Sequence, residues 1–121
     1  MEEMAAVKYV ESRSRFFAHL YRIESREEID GILKLHRRNY RKAVHHCYAV
    51  RLSEGGSVSE ESRDDGEVGH PGKVLLDLMR RKGLEQHLLV VSRIFGGIKL
   101  GVGGVSRAFR SSGQAVLEQL D

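Results

Sequence analysis

Apolar positions in the first third of the chain predict a hairpin followed by a helix. Residues Met4–Glu11 alternate weakly between apolar and polar side chains, and Arg15–Ile23 is rich in aromatic residues, so we predict two paired strands. Ser25 with Glu28 three positions later is a capping box, which indicates the start of a helix. Apolar residues then recur at helical spacing as far as Tyr40.

The middle of the chain predicts a strand, a long polar segment and a second helix. Ala43–Leu52 carries the apolar residues of a strand. Ser53–His70 is rich in Ser, Glu, Asp and Gly, and we interpret it as a loop that is either functional or mobile, because it is long for a connection in a compact domain. Pro71 suits the first turn of a helix, and Gly83 suits a left-handed helix end.

The last third predicts the centre of the sheet and a final helix. His87–Phe95 contains the continuous apolar run Leu88–Val91, which is typical of a strand buried on both faces. A helix follows over about Gly103–Leu120. The order of elements predicts an α+β fold of two layers, in which helices cover one face of a mixed four-stranded sheet.

Composition narrows the class of protein. The chain has 121 residues, 40% of them hydrophobic, which fits one domain spanning residues 1–121. No apolar run is long enough to cross a bilayer, and the acidic N-terminus is unlike a secretory signal, so we expect no membrane contact. Cys47 is the only cysteine, which excludes an intrachain disulfide and favours the cytoplasm.

The segment with the strongest chemical signal is a glycine-rich basic loop between the last strand and the last helix. A strand that enters a helix through glycines points backbone N–H groups outward, a geometry that binds anions and suits phosphate best. The net charge of +3 permits nucleic acid as a partner. The candidate phosphate-binding residues are Arg93, Gly96, Gly97, Lys99, Gly101, Gly103, Gly104, Arg107 and Arg110, with Lys73 and Arg63 assisting.

An alternative interpretation of this loop is a tight turn whose glycines serve packing alone. The loop lacks the Gly-Lys-Ser/Thr ending of a Walker loop and the Gly-x-Gly-x-x-Gly of a dinucleotide fingerprint, so no nucleotide cofactor is predicted from it.

Two further polar clusters are candidates for a site. Asp64, Asp65 and Glu67 could hold Mg²⁺ or act as acid and base, but Asp-Gly is also an ordinary turn signal and the spacing matches no metal loop. His45 and His46 precede Cys47 on a predicted strand, where alternation puts His46 on the opposite face from the other two. We therefore predict no metal site and interpret the cysteine as buried and inert, with a thiol nucleophile as the alternative.

Four motifs in order carry a resemblance to a known family. They are Arg15-Phe-Phe-Ala-His-Leu, His45-His-Cys-Tyr-Ala, Asp64-Asp-Gly-Glu and the run from Arg93 to Phe109. Together they resemble the IMPACT family over about residues 8–118. Lys99, Gly101, Gly103, Gly104 and Arg107 match the family pattern, whereas Val68–Val74 is one residue shorter than the usual segment and Ile94 stands where the family has tyrosine.

The resemblance implies a fold like the second domain of a small-subunit ribosomal protein, shared with domain IV of elongation factor G. It also implies a role in translation, and a core domain without the additional N- or C-terminal domain of other members. Our first hypothesis is a non-enzymatic domain that binds RNA or the ribosome, with a translation-regulatory protein as a further partner. The alternatives are a nucleotide enzyme with a fold like the GHMP kinases, and a protein-interaction module that uses the basic end of the first helix and the Ser53–His70 loop.

Overall fold

The computed structural model describes residues 1–121, which form one five-stranded antiparallel sheet and three helices. The strand order across the sheet is β1-β2-β5-β3-β4. The elements in chain order are β1 (Glu2–Glu11), β2 (Ser14–Arg22), α1 (Ile29–Asn39), β3 (His45–Glu54), β4 (Ser57–Arg63), α2 (Pro71–Lys82), β5 (His87–Ile94) and α3 (Gly101–Glu118).

The α+β class, the hairpin and the central position of β5 are confirmed, but the predicted four-stranded mixed sheet is wrong. Every strand pair is antiparallel, including the two pairs that flank β5. The fifth strand, β4, lies in the segment that we interpreted as a loop. It is an edge strand with mostly exposed side chains, so backbone pairing with β3 holds it and the sequence shows no apolar alternation. Gly55 and Gly56 form the two-residue turn of this hairpin, with φ of 58° and 85°.

The prediction that helices cover only one face of the sheet is also wrong. One core cluster packs α2 and α3 against side chains such as Leu89 and Val91. The other packs α1 against the opposite face, where Leu88 and Val90 lie. Because neighbouring residues of a strand point to opposite faces, the apolar run of β5 contributes side chains to both clusters. The molecule therefore has three layers, with α1 on one face of the sheet and α2 and α3 on the other.

The helix ends follow the local signals of the sequence. The Glu28 carboxylate accepts a hydrogen bond from the Ser25 backbone N–H at 3.1 Å, which closes the expected capping box before α1. Pro71 begins α2, and Gly83 ends it with a φ of 65°. No helix combines the length and apolar composition needed to cross a membrane.

Candidate functional site

Three glycines of the basic loop are required by the path of the backbone. A Cβ atom on Gly96 would lie 2.1 Å from the carbonyl carbon and oxygen of Arg13 in the β1-β2 turn, so only glycine fits. Gly97 and Gly101 have φ of 89° and 73°, a region that side chains disfavour. The packing interpretation therefore accounts for these three positions.

Gly103 and Gly104 lie in the first turn of α3 with ordinary helical φ, although a Cβ on Gly104 would lie 3.1 Å from the Cβ of Leu100. A Cβ on Gly103 would meet only the flexible end of Arg107, whose Nη1 atom lies 3.3 Å away. The first turn of α3 carries no acidic residue, and the residue before it, Leu100, offers no side chain to cap the N–H groups. This leaves a bare helix start with an arginine folded against it.

Two unpaired cations lie beside this helix start, and a third lies further along the helix. Lys99 and Arg107 line a polar cleft of about 230 Å³ together with Glu11, Ser12, Leu100 and Gly104. Arg110 is exposed one turn further along α3. None of the three cations is within ion-pair distance of a carboxylate, whereas the guanidinium of Arg80 and others on the surface are paired. The predicted phosphate-binding cations Lys99, Arg107 and Arg110 are therefore free for a partner.

Arg93 does not line this cleft and is engaged within the fold. Its side chain is only 10% exposed, and its Nη1 atom lies 3.2 Å from the carboxylate of Glu67, which is 6% exposed. The guanidinium also stacks over Phe16 and Phe95, with 5.6 and 5.7 Å to the ring centroids. Arg93 is thus a buried half of an ion pair, although its Nε atom has no partner.

The remaining basic candidates do not join the cleft. Lys73 is exposed at the start of α2, and neither it nor Arg63 lines this cleft. Arg63 lies instead over the ring of Tyr48, with 5.8 Å to the centroid.

The three acidic candidates each hold the backbone or a neighbouring side chain. Asp64 accepts a hydrogen bond from the Gly72 N–H at 2.8 Å, and Asp65 accepts one from the His46 N–H at 2.8 Å. Glu67 is occupied by Arg93. The carboxylates hold a turn in place and do not converge on a common point, and no group of three potential metal ligands is present.

His45, His46 and Cys47 alternate as the strand geometry predicts. The His45 Nδ1 atom lies 2.5 Å from the Asp65 carbonyl oxygen. Cys47 is fully buried among the residues under α2 and α3, and its Sγ donates a hydrogen bond to the Asp64 carbonyl oxygen at 3.2 Å. Burial raises the pKa of the Cys47 thiol far above its ordinary value, so the thiolate of a nucleophile is not formed.

Sequence reasoning missed a buried histidine network under α1. The Ser92 hydroxyl lies 2.8 Å from His36 Nδ1 and 2.7 Å from His46 Nδ1, and the Tyr21 hydroxyl lies 2.8 Å from His36 Nε2. Burial, with the nearby His19 and His46 rings, lowers the pKa of His36 to about 3, so the ring is neutral. The signal was present in the sequence, because His36 occupies an apolar position of the helical pattern.

The chain belongs to the family of the Impact N-terminal domain, whose profile matches residues 12–117. An IMPACT family member of Bacillus subtilis (strain 168), YvyE, is 33% identical over 122 residues, which cover 100% of this chain and 54% of the relative. An IMPACT family member encoded in the pol 5' region of Thermus thermophilus is 40% identical over 97 residues, which cover 80% of this chain and 51% of the relative. The chain thus spans about half the length of these curated relatives.

Solved structures share the fold. The crystal structure of a hypothetical protein superposes with a TM-score of 0.86 at 29% identity, covering 98% of this chain and 62% of that one. The structure of Yih1, described as a two-domain translational regulator, superposes with a TM-score of 0.60 at 26% identity, covering 97% of this chain and 46% of that one.

Proposed function

We propose that this chain is a non-enzymatic, translation-associated domain that binds the phosphates of RNA or the ribosome at the start of α3. The observation that carries the proposal is the pair of unpaired, exposed cations Lys99 and Arg107 beside a helix start whose first turn is bare, with the exposed Arg110 one turn beyond Arg107 on α3. We name these three residues with Gly103 and Gly104 the basic surface.

The chemistry of the basic surface suits a phosphate backbone. Counterions are released when cationic side chains neutralise phosphates, and free N–H groups at a helix start donate hydrogen bonds to an anionic oxygen. Contacts of this kind give affinity without a choice of sequence. The similarity to Yih1, a translational regulator by its description, supports translation as the setting. The likeness to domain IV of elongation factor G and the cytoplasmic location remain predictions.

The nucleotide-enzyme hypothesis receives less support. It requires Asp64, Asp65 or Glu67 to supply a metal site or a base, and these carboxylates are engaged in hydrogen bonds and an ion pair that hold the turn before α2.

Ribosome co-sedimentation over a salt series tests the proposal. The wild type is compared with Lys99→Glu/Arg107→Glu and with a matched control, Lys34→Glu/Arg38→Glu, which reverses two exposed charges on α1 across the sheet. We expect the wild type and the control to pellet with ribosomes at low salt and to be released as salt rises, and the first variant to stay in the supernatant. Loss of pelleting in the α1 variant alone would move the contact to the first helix, and no pelleting of any protein would end the ribosome proposal.

A further inference from the structure

A second cavity, of about 470 Å³, lies beside the basic surface. Its walls are mostly apolar side chains from four segments: the residue before β3, the turn before α2, the loop after β5 and the first turns of α3. We name the cavity the apolar pocket, and the side chains that form its walls are Val44, Val68, Phe95, Leu100, Val102 and Val105.

Most walls of the apolar pocket are far more exposed than core residues, although Val105 is buried. Val44 is 77% exposed, Val102 61% and Phe95 55%, and Ile98 beside them on the loop is 45% exposed. A pocket that holds a small molecule encloses most of the ligand, whereas a pocket with such open walls covers only one side of it. Contiguous exposed apolar side chains of this kind mark a surface that another macromolecule covers.

The polar groups of the apolar pocket are arranged for an anion. Lys99, an exposed cation without a carboxylate partner, belongs to its lining, as do Gly101 and Val102 at the positive end of the α3 dipole. Arg93 lines it as well, but its charge is paired with Glu67 and its Nε atom is sealed from the pocket, so Lys99 is the cation that a ligand would meet. The only carboxylate in the lining is Glu67, which Arg93 and the Val68 N–H occupy at 3.2 and 3.0 Å.

We propose that the apolar pocket binds an acidic segment of a protein partner, with one large apolar side chain inserted between Val44, Phe95 and Val102 and a flanking carboxylate on Lys99. A nucleobase fits less well, because its polar edge would meet mainly aliphatic walls and each unpaired polar atom costs free energy. Since Lys99 lines both the apolar pocket and the polar cleft, the partner and RNA compete for it.

The test uses a defined probe, the peptide acetyl-Asp-Glu-Phe-Asp-Glu-amide, titrated into the full chain with methyl-labelled valine and followed by NMR. Two matched peptides separate the contributions: one has alanine at the centre, and the other has asparagine and glutamine in place of the acids. We expect the Val44, Val68 and Val102 methyl signals to shift with the first peptide. Each matched peptide should bind roughly tenfold more weakly, as expected for loss of one buried side chain or of its charge contacts.

Matched aspartate variants test whether the peptide binds at the apolar pocket. Val44→Asp and Val102→Asp put a negative charge at the mouth of the pocket on well-exposed positions, and Val10→Asp makes the same change at a 55% exposed position of β1. We expect the first two to abolish saturable binding of the probe and the third to leave it unchanged. The proposal is overturned if no peptide binds at millimolar concentration, if the alanine peptide binds equally well, or if Val44→Asp and Val102→Asp bind like the wild type. It is also overturned if a uridine hexanucleotide, rather than the peptide, shifts the pocket methyls and loses binding in these variants.

Discussion

Single substitutions of Gly96 and Gly103 by alanine distinguish a glycine that the packing of the loop requires from one that leaves the first turn of α3 uncovered. At Gly96 the new Cβ would lie 2.1 Å from two backbone atoms of Arg13, and 2.6 Å from its Cβ. At Gly103 the new Cβ would meet only the end of the Arg107 side chain, at 3.3 Å. Although the two substitutions add the same methyl group, these contacts differ so much that their effects on stability should have opposite signs.

The expected magnitudes follow from these contacts. Carbon atoms pack at about 3.5–4.0 Å, so the loop and the β1-β2 turn must separate by more than ~1 Å in Gly96→Ala, which we expect to cost about 3 kcal/mol. In Gly103→Ala the flexible guanidinium of Arg107 moves aside. Alanine is favoured over glycine in a helix, so we expect a gain of about 0.5–1 kcal/mol.

Urea denaturation followed by circular dichroism measures both changes, with Gly31→Ala on α1, where a Cβ has open space, as the reference for helix propensity alone. Gly103→Ala should also weaken ribosome binding, although it is more stable, because the methyl group covers the first turn of α3. A Gly96→Ala variant as stable as the wild type would refute the packing argument, and a destabilised Gly103→Ala would show that this glycine is needed by the fold.

Three other predictions concern buried polar groups. Glu67→Gln leaves the Arg93 guanidinium buried without a counter-charge, so it should lower the unfolding free energy in urea by about 3 kcal/mol, and adding Arg93→Met should recover most of this loss. The control Asp77→Asn removes an exposed ion pair and should cost under about 0.5 kcal/mol. Equal costs would contradict the claim that burial makes the Glu67–Arg93 pair important. His36 is buried neutral with its pKa lowered from 6.5 to about 3, so its stability contribution is complete above pH 6.5 and is lost as the pH falls toward 3. The unfolding free energy of the wild type should therefore fall by about 2–3 kcal/mol more than that of His36→Gln between pH 7 and pH 4.5, and parallel pH profiles would refute this. The Cys47 thiol, buried with a raised pKa, should react with a thiol reagent only at the rate of unfolding, and rapid labelling of the native protein would contradict its burial.

The sequence predicted the elements that carry their own local signals. The capping box at Ser25, the proline and glycine that bound α2, and the apolar run of β5 each act through nearby residues. The strand β4 was missed because an edge strand is held by backbone pairing with β3 and needs no apolar face. The second helical layer was missed because an apolar run shows that a strand is buried on both faces, but not which helix covers each face.

Some residues of the candidate site could likewise be predicted from the sequence, whereas others could be recognised only in the fold. The exposed cations Lys99, Arg107 and Arg110 could be named from their positions around the loop, since nothing in the fold engages them. The ion pair between Arg93 and Glu67 could not be predicted from the sequence, because the two residues lie on different segments and only the tertiary fold shows that both are buried. The apolar pocket is likewise assembled from four separate segments, whose valines are unremarkable in the sequence.

The salt dependence of RNA affinity tests the central claim most directly. The dissociation constant of the chain for ribosomal RNA, measured by fluorescence anisotropy over a salt series, is compared between the wild type and Lys99→Gln/Arg107→Gln. If both cations contact phosphates, the variant binds more weakly at low salt and the slope of log affinity against log salt falls by about 1.5, since each contact contributes roughly 0.7–0.9. Equal affinities and equal slopes would contradict the claim that the basic surface binds phosphate.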